Sequence, residues 1–114
     1  MHETLPIQTI DSACGLLVDS DVELHGHIQG GLVVASGAYL KLCGTASCDL
    51  TVLAGGRAEI HGWVAGNVCN MGGNVTIFGS VDGVRNERPG AVTRLARGAS
   101  VGGDFVEKRR FSRY

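Results

Sequence analysis

The chain has 114 residues, 44% of them apolar, which suffices for one domain with a modest core and includes no apolar run long enough to cross a membrane. Its 18 glycines and 2 prolines follow no three-residue period, which excludes a collagen-like chain, and its content of Val, Leu and Ile excludes an ordinary disordered linker. Net charge is only −1, but residues 1–84 carry two basic and eight acidic side chains while residues 85–114 carry eight basic and three acidic ones, a polarity suited to head-to-tail contact between copies.

The start, Met1-His2-Glu3-Thr4-Leu5-Pro6, has no basic segment followed by an apolar one, so no secretory signal is expected and a cytoplasmic location follows as the default. The four cysteines, at scattered spacings, are then expected to be reduced thiols. Residues 1–21 read as a lead-in or cap. Leu5, Ile7 and Ile10 alternate poorly, Ser12-Ala13-Cys14-Gly15 reads as a turn, and Leu16-Leu17-Val18 as a first strand or part of the cap.

From Val22 the chain repeats. The copies are Val22–Tyr39, Leu40–Arg57, Ala58–Asn74 and Val75–Ala91, with a looser fifth, Val92–Lys108, in which Arg94 and the register of Arg97-Gly98 spoil the alignment. The clearest stretch runs from Ala58 to Val84, where Ile60, Gly62, Val64, Gly66 and Val68 alternate and the pattern restarts at Val75, Ile77, Gly79, Val81 and Gly83. Alternation with period two predicts strands, and its recurrence every 17–18 residues predicts a repeat architecture. Three inward columns follow: Leu24/Leu42/Ile60/Ile77, Ile28/Ala46/Val64/Val81 and Leu32/Leu50/Val68. Gly26, Gly44, Gly62 and Gly79 form a fourth, expected to relieve crowding or bend the chain at a narrow corner. Gly37, Gly55-Gly56, Gly72-Gly73 and Gly90 mark a second corner where a positive φ is expected.

A coil of this length fits three short strands, so the expected fold is all-β: a single-stranded triangular β-helix, a β-solenoid of about five coils stacked at about 4.8 Å. Val22, Ile28, Val34, Leu40, Ala46, Val52, Ala58 and Val64 keep the six-residue spacing of a left-handed hexapeptide helix, but the next position is Asn70 and the coil then shortens. That drift argues for a right-handed coil. The domain plan is a lead-in over 1–21, a solenoid over 22–106 and a basic tail over 107–114.

The G-x-V-x-G-x-V grammar of Gly62–Val68, with Gly79–Val84, Gly98–Phe105 and the glycine corners, resembles the bactofilins over roughly Val22 to Phe105. That resemblance implies a right-handed triangular β-helix that polymerises end to end without a nucleotide, a cytoskeletal scaffold in which the chain's partner is itself. It also implies association with membranes in many members. The chain departs from the family in its Cys, His and Trp content, its loose fifth coil and its lack of Pro-rich tails.

The glycines lack the G-x-x-x-x-G-K-[ST] frame, so no nucleotide cofactor is expected. His25, Cys43, His61 and Phe78 precede the repeated glycine and are placed in one outward column, with His27, Thr45, Trp63 and Ser80 in the next. A Cys between two His suits a soft divalent metal, but His25 and His61 stand two rungs apart with no chelating pair close in sequence, so no metal is expected. Cys43 with either His is the one candidate nucleophile–base pair. It has no orienting carboxylate in register, and no enzyme activity is expected. His25, His27, Cys43, His61, Trp63 and Phe78 instead read as a contact face for assembly or a partner. In the tail, Lys108, Arg109, Arg110, Phe111 and Arg113 suit weak contact with an anionic membrane, and no nucleic acid is expected. The alternative to a filament is a capped, non-polymerising module that binds a protein or glycan through the His/Trp face.

Overall fold

The computed structural model describes residues 7–12, 15–88, 90–102 and 105–107. Their strands form one continuous sheet wound into a β-solenoid. β1 (Ile7–Ser12) and β2 (Leu16–Val18) make the first rung, and β3 (Val22–Ile28) and β4 (Leu32–Val34) the second. β5 (Tyr39–Leu42), β6 (Thr45–Ala46) and β7 (Leu50–Leu53) make the third, and β8 (Arg57–Ile60) and β9 (Trp63–Met71) the fourth. β10 (Asn74–Ile77) and β11 (Ser80–Asn86) make the fifth, and β12 (Val92–Leu95), β13 (Ser100–Val101) and β14 (Phe105–Glu107) the last, about five turns after the first.

The strand ladders are all parallel, as a solenoid requires, and they lie on three faces. The first runs β1–β3–β5–β8–β10–β12. The second joins the end of β3 to β6, the starts of β9 and β11, and β13. The third runs β2–β4–β7, the ends of β9 and β11, and β14. The long strands β3, β9 and β11 bend around a corner and so serve two faces each. The lead-in segment Ile7–Ser12 pairs with β3 from Glu23 to Ile28, and Leu16–Val18 pairs with β4. This part of the lead-in therefore forms a rung of the solenoid. Ala13 and Cys14 of the expected turn lie outside the described residues.

The core sits inside the triangle as aliphatic ladders. Leu24, Leu42, Ile60 and Ile77 are fully buried, as are Leu32, Leu50 and Val68, and Val84 extends the latter column. Ile28, Ala46, Val64 and Val81 line the second face from within. Burial of each Val, Leu or Ile among them is worth about 1.5–3 kcal/mol, and within a column each stacks on its equivalent in a neighbouring rung. The two glycine columns differ in cause. Gly37, Gly55, Gly72 and Gly90 have φ of 81°, 82°, 110° and 92°, a region that L side chains rarely adopt. In the other column Gly26 also has a positive φ, 100°, but Gly44, Gly62 and Gly79 do not; these three are held by close approach of successive corners.

The loose fifth copy has a physical explanation. Ala58 pairs with Val75, a step of 17, but Val75 pairs with Thr93, a step of 18. Aligning Val92 with Val75 would put Arg94 inside. The observed register instead sets Arg94 beside Thr76 on the outer surface and Leu95 beside Ile77. Thr93 takes the inward place because polar groups meet it there. Its Oγ1 donates to Asn86 Oδ1 at 2.7 Å and lies 3.1 Å from Asn70 Nδ2. Asn70, fully buried, also donates to Val92 O at 2.9 Å and accepts from the Gly73 and Gly72 amides at 2.7 and 3.2 Å. The residue that breaks the six-residue spacing is thus the centre of a satisfied polar network.

Candidate functional site

The outward face predicted from the repeats forms around the narrow glycine corner between the first and second faces. β3 carries His25 to the edge of the first face, Gly26 turns the corner, and His27 begins the second. Pairing places His27, Thr45, Trp63 and Ser80 in one column. The amides of Cys43, His61 and Phe78 donate to Leu24 O, Leu42 O and Ile60 O, each at 2.8 Å, and so fix the other column, which starts at His25. All six predicted contact residues therefore share one surface. Trp63 is 51% exposed and Phe78 41%.

Neighbouring rungs interact along these columns. The His61 and Phe78 rings stack with centroids 4.4 Å apart and planes 7° from parallel. His27 Nδ1 and Thr45 Oγ1 are hydrogen-bonded at 2.7 Å, and His27 Nε2 and Ser47 Oγ at 3.2 Å. Along the strands, His25 Nε2–H donates to Glu23 Oε2 at 2.7 Å and His61 Nε2–H to Glu59 Oε1 at 3.2 Å. Lys41 Nζ lies 3.8 Å from Glu23 Oε1. The bond from His25 holds the Glu23 carboxyl below its ordinary value, with the Lys41 charge assisting. Burial, then the nearby Glu23 charge, pushes the Cys43 thiol up.

Reading the columns rung by rung misses the two carboxylates. Residues i and i+2 of a strand share a face, so Glu23-Leu24-His25 and Glu59-Ile60-His61 each set a carboxylate beside an imidazole. That E-x-H repeat was the available signal. As a result the structure groups Glu23, His25 and Cys43, whose ligand atoms all lie within 4.8 Å of one another, rather than His25, Cys43 and His61.

Further along the first face, Tyr39, Arg57, Glu59, Asn74, Thr76 and Arg94 line an open cavity of about 380 Å³. The Arg57 guanidinium lies over the Tyr39 ring, 5.6 Å from its centroid. Lys108, Arg109, Arg110, Phe111 and Arg113 of the basic tail lie outside the described residues. Among the described residues no helix is long and apolar enough to cross a membrane.

The chain matches no family model, no curated protein and no solved structure.

Proposed function

We propose that this protein is a non-catalytic structural protein that assembles end to end into filaments without a nucleotide, a bactofilin-like cytoplasmic scaffold whose main partner is itself. The observation that carries this reading is the last rung. Leu95 continues the inward column of Leu24, Leu42, Ile60 and Ile77, yet it is 48% exposed whereas those four are fully buried. Val92 beside it is 37% exposed. The column is built to be covered by one more rung. β12, β13 and β14 at this end, and β1 and β2 at the other, each pair on one side only among the described strands. Such edges hold free backbone donors and acceptors and recruit further strands. Parallel pairing lets the first rung of a second copy add to the last, with Gln8, which holds the register position of Leu24 in that rung, over Leu95. The acidic start and basic end of the chain favour that polarity.

Negative-stain electron microscopy with light scattering across a salt series tests the reading. Thin filaments are expected, shortened by salt and abolished by Leu95→Asp. Uniform monomers at high concentration and low salt would overturn it. A second reading draws on the exposure of Trp63 and Phe78: a module that binds a protein or glycan through this face. Trp63→Ala leaves filaments intact under the first reading and abolishes partner capture under the second. Contact of the basic tail with anionic membranes is tested by co-sedimentation with phosphatidylserine vesicles.

A further inference from the structure

We infer that Glu23, His25 and Cys43 form a binding site for a zinc-class divalent ion, independent of the filament reading. The argument begins with the backbone. β3 supplies two donors two residues apart on one face, Glu23 and His25. The next rung supplies the third, because the Cys43 amide is fixed to Leu24 O at 2.8 Å and so sets Cys43 alongside His25. The carboxylate oxygen, imidazole nitrogen and thiol sulfur lie within 4.8 Å of one another. Ligand bonds of about 2.0–2.3 Å bring three such atoms onto one ion with side-chain adjustment only. The backbone under them is locked on both sides by parallel ladders.

The donor set selects the metal. One sulfur, one nitrogen and one oxygen suit zinc, whereas magnesium and calcium prefer oxygen alone. A thiolate and a carboxylate neutralise the charge of a divalent ion. The ion would enter between Glu23 Oε2 and His25 Nε2, now hydrogen-bonded at 2.7 Å, and leave Lys41 on Glu23 Oε1. Three protein ligands leave a fourth position for water or for a donor from outside the chain.

The fold contains its own control. Glu59 and His61 repeat the E-x-H pair one coil pair later, but the rung after them presents Phe78, stacked on the imidazole, where Cys43 stands for His25. No thiol completes that second pair on its far side, and neither Glu59 nor His61 belongs to the three-donor group.

Zinc binding to the full chain is measured by competition with a chromophoric chelator, and cobalt(II) uptake by its thiolate charge-transfer and visible ligand-field bands. One ion per chain is expected, with tetrahedral cobalt bands. Cys43→Ser should abolish the charge-transfer band and weaken zinc by about 100-fold or more, the upper range for lost outer partners of a metal site. Glu23→Gln and His25→Gln should each weaken zinc by at least about 10-fold, and His61→Gln should change nothing. Circular dichroism confirms that each variant is folded. Binding in the wild-type chain no tighter than in Cys43→Ser overturns the inference. So does binding that survives Glu23→Gln and His25→Gln, or that is lost with His61→Gln.

Discussion

Gly62 packs so closely on Gly44, one rung away, that a Cβ on Gly62 would overlap the Gly44 carbonyl oxygen. The same contact recurs between Gly79 and Gly62 and between Gly44 and Gly26. The narrow corner of the triangle is thus a stack of bare backbone, and the flanking His and Trp columns stand out from it because nothing fills the corner itself. Gly62→Ala should destabilise the protein by about 3 kcal/mol, at the upper end for overpacking, because backbone rather than a flexible side chain must move. Gly98 has open space around its Cβ position but a φ of 89°, so Gly98→Ala should cost only the left-handed strain of about 1–2 kcal/mol. Urea midpoints at unchanged slope check the order, and a Gly62→Ala variant less affected than Gly98→Ala would refute it.

Ile60 and Leu95 occupy the same inward column but differ in burial, 0% against 48% exposed. Ile60→Ala should cost about 2–5 kcal/mol through lost burial and a residual cavity. Leu95→Ala should cost under about 1 kcal/mol in dilute monomer, like other half-exposed sites. Under the filament reading, the same Leu95→Ala change raises the concentration needed for assembly. Equal losses of monomer stability at the two sites would mean that the last rung is already covered.

Much of this was legible because a solenoid writes its contacts into its period. Once Leu24, Leu42, Ile60 and Ile77 are aligned, the core follows, and the glycine corners follow with it. Two kinds of information lay outside the aligned columns. The Glu23–His25 pair runs along a strand rather than across rungs, so an alignment of columns passes over it. The register of the last coil depends on Asn70, Thr93 and Asn86 finding one another inside the core, a contact between residues up to 23 positions apart. Aliphatic alternation alone favours the wrong register there, with Val92 over Val75 and Arg94 buried.

Asn70→Val tests that network, since it restores the aliphatic column of Val34 and Val52. Hydrophobicity alone predicts a gain. The hydrogen bonds predict a loss, because the buried Gly73 amide and the Val92 carbonyl lose their Asn70 partner. Each buried group left unsatisfied costs about 1–3 kcal/mol, so a net loss of roughly 2–3 kcal/mol is expected after the apolar gain. Hydrogen exchange at the Gly73 amide should speed up in parallel. A variant as stable as the wild type would show that these bonds contribute no net stability.

Tyr39 and Glu59 give the pH dependence. Burial, then its hydrogen bond to Glu59, pushes the Tyr39 hydroxyl up from 10.0 to about 12. A phenol whose pKa rises on folding adds stability that is complete below pH 10 and is lost as pH climbs through about 12. For Glu59, burial is the largest influence and acts upward, but hydrogen bonds from His61 and Tyr39 outweigh it and leave the carboxyl below its ordinary 4.5. Its contribution is therefore present above pH 4.5 and lost as pH falls through the lowered value. Tyrosinate absorbance in a Tyr114→Phe background reads Tyr39 alone. Its midpoint should lie near 12 and fall towards 10 in Glu59→Gln, and the same variant should flatten the acid limb of the stability profile. A midpoint near 10 in the folded Tyr114→Phe protein would mean that neither burial nor Glu59 holds this proton.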